Sequence, residues 1–193
     1  MARNFAIAGW TDHLVTLGEG RIRVAQGVLG VAPDEPGELD RAKEFFERQT
    51  RMHPAGLPEY THAFMAAMQL HELISRRSTD LEVVVPSLEE LDLAIRLQAR
   101  EAREWRTSLG MRTRRLDAGE AVSLAICVSR NEAFWCDDED ARIAYESLGG
   151  RECLTTLDLA RLGVERRLLS RTEARAEYEK LRRVYRFFGP PWP

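Results

Sequence analysis

The sequence predicts an α/β fold: a mainly parallel sheet with helices on both faces. Two observations predict it. Short apolar, β-branched or aromatic runs (LEVVVP at 81–86, AFWC at 133–136, ECLT at 152–155) alternate with segments of helical periodicity. The second half also runs strand, helix, helix, strand, helix, strand, helix, and strands alternating with helices suggest a parallel sheet.

The elements follow in order. Residues 5–8 read as a first strand and 12–18 as a brief helix. RIRVA at 21–25 alternates and reads as a second strand. GVAPDEPGE carries two prolines and two glycines and reads as a loop. Two helices are expected at 38–52 and 59–77, broken at MHPAGLP, with Leu39, Ala42, Phe46 and Gln49 on one face of the first. Phe64, Met68, Leu70 and Leu73 should share a face of the second. This pair reads as a helical insertion between the early strands and LEVVVP.

Proline ends the LEVVV strand, and Ser87 with Glu90 forms a Ser-x-x-Glu capping box for a long helix. Its apolar stripe is Leu88, Leu91, Ile95 and Ala99. A helix beginning at Asp117 should bury Ala121, Leu124, Ala125 and Val128. A helix at 138–148 should end at Gly149–Gly150, with further helices at 156–163 and 172–187. No internal repeat or low-complexity segment appears, so residues 1–193 read as a single domain.

Composition narrows the function classes. The formal net charge is −3, which gives no overall basic field for nucleic acid. Of 28 basic residues only Lys43 and Lys180 are lysines, a bias that fits a GC-rich genome rather than phosphate binding. Cys127, Cys136 and Cys153 form no CxxC pair and read as buried, reduced thiols of a cytoplasmic protein. The apolar run near the N-terminus is too short for a signal peptide, and no segment approaches the roughly 20 apolar residues of a membrane span.

Several motifs fail on chemistry. HELIS at 71–75 begins like a zinc-protease helix, but Ser75 stands where the second histidine must be. His13, His53 and His62 lack cysteine partners at zinc spacing. There is no GxSxG elbow, P-loop or GxGxxG. The last helix carries Arg175, Lys180, Arg182, Arg183 and Arg186 with Tyr178 and Tyr185 between them. Glu173, Glu177 and Glu179 share it, so it reads as a salt-bridged face, with Glu179 placed to pair with Arg183. The tail RFFGPPWP should dock on the domain or on a partner.

Two acidic clusters remain, in LDAGE at 116–120 and CDDED at 136–140. They admit two readings. In one they cap helices: Asp117 with Glu120, and Asp137 to Asp140 at the positive end of a helix dipole. In the other, Asp138 just past a strand's carboxyl end and Glu120 beside it face one crevice and bind Mg²⁺ or Mn²⁺. Such an ion activates water and stabilises charge developing on a phosphate.

The span from Asp117 to Gly163 resembles the C-terminal half of PIN-like domains. Asp117, Gly119, Glu120, Asp137, Asp138, Ala141, Arg142, Thr155 and Gly163 match in order a pattern that reads L-D-x-G-E, an Ala/Ile-rich helix, a strand ending D-D-x-x-A-R, a short strand, Thr, and a helix ending in Gly. The resemblance implies a three-layer α/β/α sandwich. It implies a divalent-metal-dependent ribonuclease such as the toxins of bacterial toxin–antitoxin pairs. Glu120 and Asp138 would then be metal-site acids and Asp140 an auxiliary, with RNA as substrate and an antitoxin-like protein as partner. Homodimers are common in that family, and the aromatic tail is a candidate contact.

The N-terminal half departs from the pattern. The family's first strand leads to an aspartate, and here Trp10 stands in that place, with Asp12 two residues on as its substitute. A second acid belongs where Val31 lies; Glu35, Glu38 or Glu72 would have to replace it. The alternative function is therefore a degenerate PIN-like module that binds protein or nucleic acid and cleaves nothing.

Overall fold

The structure is a computed structural model. It describes residues 8, 10–18, 22–29, 37–75, 81–99, 102–111, 116–184 and 189–193. The described chain is mixed α/β and mostly helical. Its elements are α1 (Thr11–Leu17), β1 (Ile22–Ala25), α2 (Gln26–Leu29), α3 (Glu38–Met52), α4 (Pro58–Ser75), β2 (Leu81–Val84) and α5 (Leu88–Gln98). There follow α6 (Arg103–Ser108), α7 (Ala118–Ser129), β3 (Phe134–Trp135), α8 (Glu139–Ser147), β4 (Cys153–Leu154), α9 (Thr156–Glu165) and α10 (Arg171–Val184).

The strands pair in parallel, as the alternation of strands and helices requires. β1 lies on β2 with Ile22 opposite Leu81 and Ala25 opposite Val84. β3 lies on β4 with Phe134 opposite Cys153 and Trp135 opposite Leu154. These are two separate two-stranded sheets among the described residues. Of the strand expected at 5–8, residues 5–7 lie outside the described residues and Ala8 is helical. Most of the loop expected from Gly30 also lies outside them.

The two helices expected between β1 and β2 form, as α3 and α4. Pro58 opens α4, where its missing N–H costs nothing. α3 buries Leu39 and Phe46, as its spacing predicted. α4 does not follow its predicted stripe: Phe64 and Met68 are exposed, while Ala63, Ala66, Ala67 and Leu70 are buried. Small residues on that face let α3 and α4 approach closely, and the bulky side chains are left outside. The side chain of Leu73 lies outside the described residues.

Ser87 and Glu90 form the predicted capping box: Ser87 Oγ accepts from the Glu90 N–H at 3.2 Å, and Glu90 Oε2 accepts from the Ser87 N–H at 2.7 Å. The expected stripe of α5 is wrong. Leu88 and Ile95 are 86% and 66% exposed, and the buried positions are Glu90, Ala94 and Leu97. The helix is also shorter than expected and stops at Gln98, where buried Arg106 of α6 donates to the carbonyls of Leu97 and Ala99.

Three apolar clusters make most of the core. The first joins α3 and α4 to Val15, Leu81 and Leu181. The second joins α5, α7 and α8 through Ala94, Leu97, Leu124, Ala125, Phe134 and Tyr145. Ala121, Leu124 and Ala125 are buried as predicted, and Val128 is half-buried. The third gathers Trp10, Leu14 and Leu17 of the N-terminal segment with Leu157, Leu159, Tyr178 and Trp192. No helix among the described residues is long and apolar enough to cross a membrane.

Gly149 takes φ +80° just past α8, the left-handed conformation that ends a helix cheaply with glycine. Gly150 has a different reason: a Cβ there would lie 2.3 Å from the Tyr145 ring.

Residues 189–193 of the tail pack on α10. Tyr178 Oη donates to the Pro190 carbonyl at 2.9 Å, Arg182 Nε to the Gly189 carbonyl at 2.9 Å, and the Trp192 N–H to Glu179 Oε1 at 3.1 Å. Trp192 meets Tyr178 edge to face, with ring centroids 5.9 Å apart. On α10 the ion pairs are Glu177–Lys180 and Glu179–Arg182, three residues apart, rather than the predicted Glu179–Arg183. Tyr178 is fully buried, so it offers no stacking surface on that face. Tyr185 and Arg186 lie outside the described residues.

Candidate acidic site at the strand ends

β3 and β4 run side by side and deliver the chain to the starts of α8 and α9. Backbone N–H groups at a helix start lack partners within the helix, and acidic or hydroxyl side chains satisfy them. Asp138 is the N-cap of α8, and its Oδ1 accepts from the Ala141 N–H at 2.9 Å. Thr155 is the N-cap of α9, with Asp158 Oδ2 accepting from the Thr155 N–H at 2.9 Å. Asp137 crosses between the two units. Its Oδ1 accepts from the Thr156 N–H at 2.7 Å and its Oδ2 from the Thr156 hydroxyl at 2.6 Å.

The same pattern holds at α7, where Glu120 Oε2 accepts from the Asp117 N–H at 3.2 Å. Glu120 is half-buried, Asp138 exposed, and Asp140 buried in the first turn of α8. Asp12 is exposed in the first turn of α1. All four acids singled out from the sequence thus stand at helix starts, where the dipole favours negative charge. Glu72 is exposed on α4. Val31 and Glu35, and the side chain of Glu38, lie outside the described residues.

Cys136 follows β3 and is buried. Burial pushes its thiol up to about 12; the Asp138 backbone N–H favours the thiolate, while the charge of Glu120 opposes it. On the α10 side, burial pushes the Tyr178 hydroxyl up to about 12, opposed by Arg182 and reinforced by Asp137.

Trp10 is the residue that the sequence resemblance sets against an aspartate. It is the N-cap of α1 and 4% exposed, packed with Leu14, Leu157 and Trp192. Among the described residues no group of three or more His, Cys, Asp or Glu side chains is placed to hold a metal ion. As a donor set for Mg²⁺ or Mn²⁺, which take several hard oxygens at once, the described acids do not fit.

Sequence reasoning matched Asp137 to a motif but gave it no part in the site, and it passed over Thr156 and Asp158. The Thr155-x-x-Asp158 spacing was a legible capping signal. The Asp137–Thr156 bonds span 19 residues and left no local trace.

Comparison with protein-family models, with curated proteins and with solved structures finds no match to this chain.

Proposed function

We propose that this chain is a PIN-like domain that works as a binding module and cleaves nothing, its two strand pairs belonging to one three-layer α/β/α sandwich. The carrying observation is Trp10, a buried apolar cap where the family's catalytic pattern needs a carboxylate. The capping bonds of Glu120, Asp137 and Asp138 support the same reading, because each engages a carboxylate oxygen with the protein's own backbone. The partner is a protein, an antitoxin-like one by resemblance, or RNA.

A second reading, the Mg²⁺- or Mn²⁺-dependent ribonuclease with Glu120 and Asp138 as ligands and Asp140 and Asp12 in support, is favoured by one feature. Asp138 lies at the N-cap of α8, just past the end of β3, where sites form in parallel sheets, and the charge of Glu120 reaches Cys136 there. The readings separate on a labelled single-stranded RNA incubated with Mn²⁺. The binding module leaves it intact, with the same background as Asp138→Asn. The nuclease cuts it, and Asp138→Asn does not.

A further inference from the structure

The end of α9, the start of α10 and the docked tail enclose an open cleft of about 270 Å³. This is near the lower end of the range for small-ligand sites, roughly 300–1,000 Å³. Its polar lining is Arg161, Arg171 and Glu165, and its apolar lining is Val164, Trp192 and Pro193. The apolar wall is held in place: Trp192 is tied to Glu179 through its N–H and packs on Tyr178, which holds the Pro190 carbonyl.

The two arginines are available. Neither makes a hydrogen bond or ion pair among the described residues, so two forked sets of N–H donors face the cleft without a protein acceptor. The surroundings add positive charge. Residues 161–184 hold eight basic and four acidic side chains in a chain of net charge −3. Three of those acids are engaged nearby: Glu173 with Ser170 just before α10, and Glu177 with Lys180 and Glu179 with Arg182 within it. Exposed Arg166, Arg167 and Arg175 add no partners to offset them.

Guanidinium pairs recognise phosphate oxygens bidentately. Val164, Pro193 and the small exposed part of Trp192 make an apolar wall beside them that suits the edge of a flat ring, and the Glu165 carboxylate accepts from a hydroxyl or amino group. We propose that this cleft binds a mononucleotide: its phosphate between Arg161 and Arg171, its base along Trp192 and Val164, and a sugar hydroxyl on Glu165. The proposal rests on residues other than those of the acidic site.

Calorimetric titration of the full chain with adenosine monophosphate tests it, with adenosine and inorganic phosphate as separate probes. The expected result is saturable binding of the nucleotide, at least about tenfold tighter than either fragment. The paired substitution Arg161→Ala with Arg171→Ala should weaken it by about tenfold or more, while Arg175→Ala, outside the lining, leaves it unchanged. Both arginines are exposed, so the variants should melt like the wild type. Absence of nucleotide binding at millimolar concentration, phosphate binding as tightly as the nucleotide, or affinity untouched by the paired substitution would each overturn the proposal.

Discussion

Asp137 grips Thr156 twice, through the backbone N–H at 2.7 Å and the side-chain hydroxyl at 2.6 Å. Thr156 is fully buried. One carboxylate therefore fastens the end of β3 to the start of α9 and satisfies two donors that have no water to turn to. Asp137 is a structural clamp.

Removing it should unfold the protein more readily. Asp137→Ala leaves both donors unpaired and should cost about 2–6 kcal/mol, at about 1–3 for each buried unsatisfied group. Asp137→Asn keeps one acceptor oxygen and should cost less. Urea denaturation of the two variants orders them, and equal stability of Asp137→Ala and wild type would remove the clamp from the account.

Glu90 should make stability depend on acidity. It is held by Arg130 through two bonds, Nε to Oε1 at 2.7 Å and Nη2 to Oε2 at 2.9 Å, and its side chain is only 5% exposed. The Arg130 hydrogen bonds, with the Ser87 cap, hold its carboxyl below the ordinary 4.5 against the opposing effect of burial. A depressed folded value means its stabilisation is present above about pH 4.5 and is lost as pH falls through the folded value. Glu90→Gln should therefore cost about 1.5–3 kcal/mol near neutrality, the scale of charge-assisted hydrogen bonds. The gap between variant and wild type should close in acid, as read by denaturant titration at the two pH values.

The same residue explains where the sequence misled. The stripe Leu88, Leu91, Ile95 and Ala99 is a sound helical period, yet α5 turns Glu90, Ala94 and Leu97 inward. Periodicity sees apolar side chains, but it cannot see that Arg130, forty residues away in α7's C-cap, pulls Glu90 into the interface. α4 failed for a related reason. It is apolar on several faces, and alanines rather than Phe64 and Met68 make the close contact. Local signals fared better: the Ser87 box, the Gly149 terminus and the β-branched run of β2 each depend on neighbours a few residues away. The acids were legible as caps from spacing alone, whereas their long-range partners, Thr156 above all, were not.

The cysteines should be sluggish. Burial pushes Cys127 and Cys136 up to about 12 and Cys153 to about 11, and all three are free thiols. Only Cys136 is fully buried; the other two are half-buried, which corrects the sequence reading. At about pH 8 even Cys153 would be thiolate in only about one molecule in a thousand. Iodoacetamide should modify the native protein far more slowly than the denatured one. Rapid native labelling of Cys136 would show that the second core cluster opens readily.

The most direct test of the central claim is a Mn²⁺ titration of the wild type and of Asp138→Asn by calorimetry. The binding-module account predicts no saturable binding in either protein, because Glu120, Asp137 and Asp138 serve the helix starts and Trp10 replaces a ligand. Micromolar Mn²⁺ binding to the wild type that disappears in Asp138→Asn would contradict it and restore the nuclease.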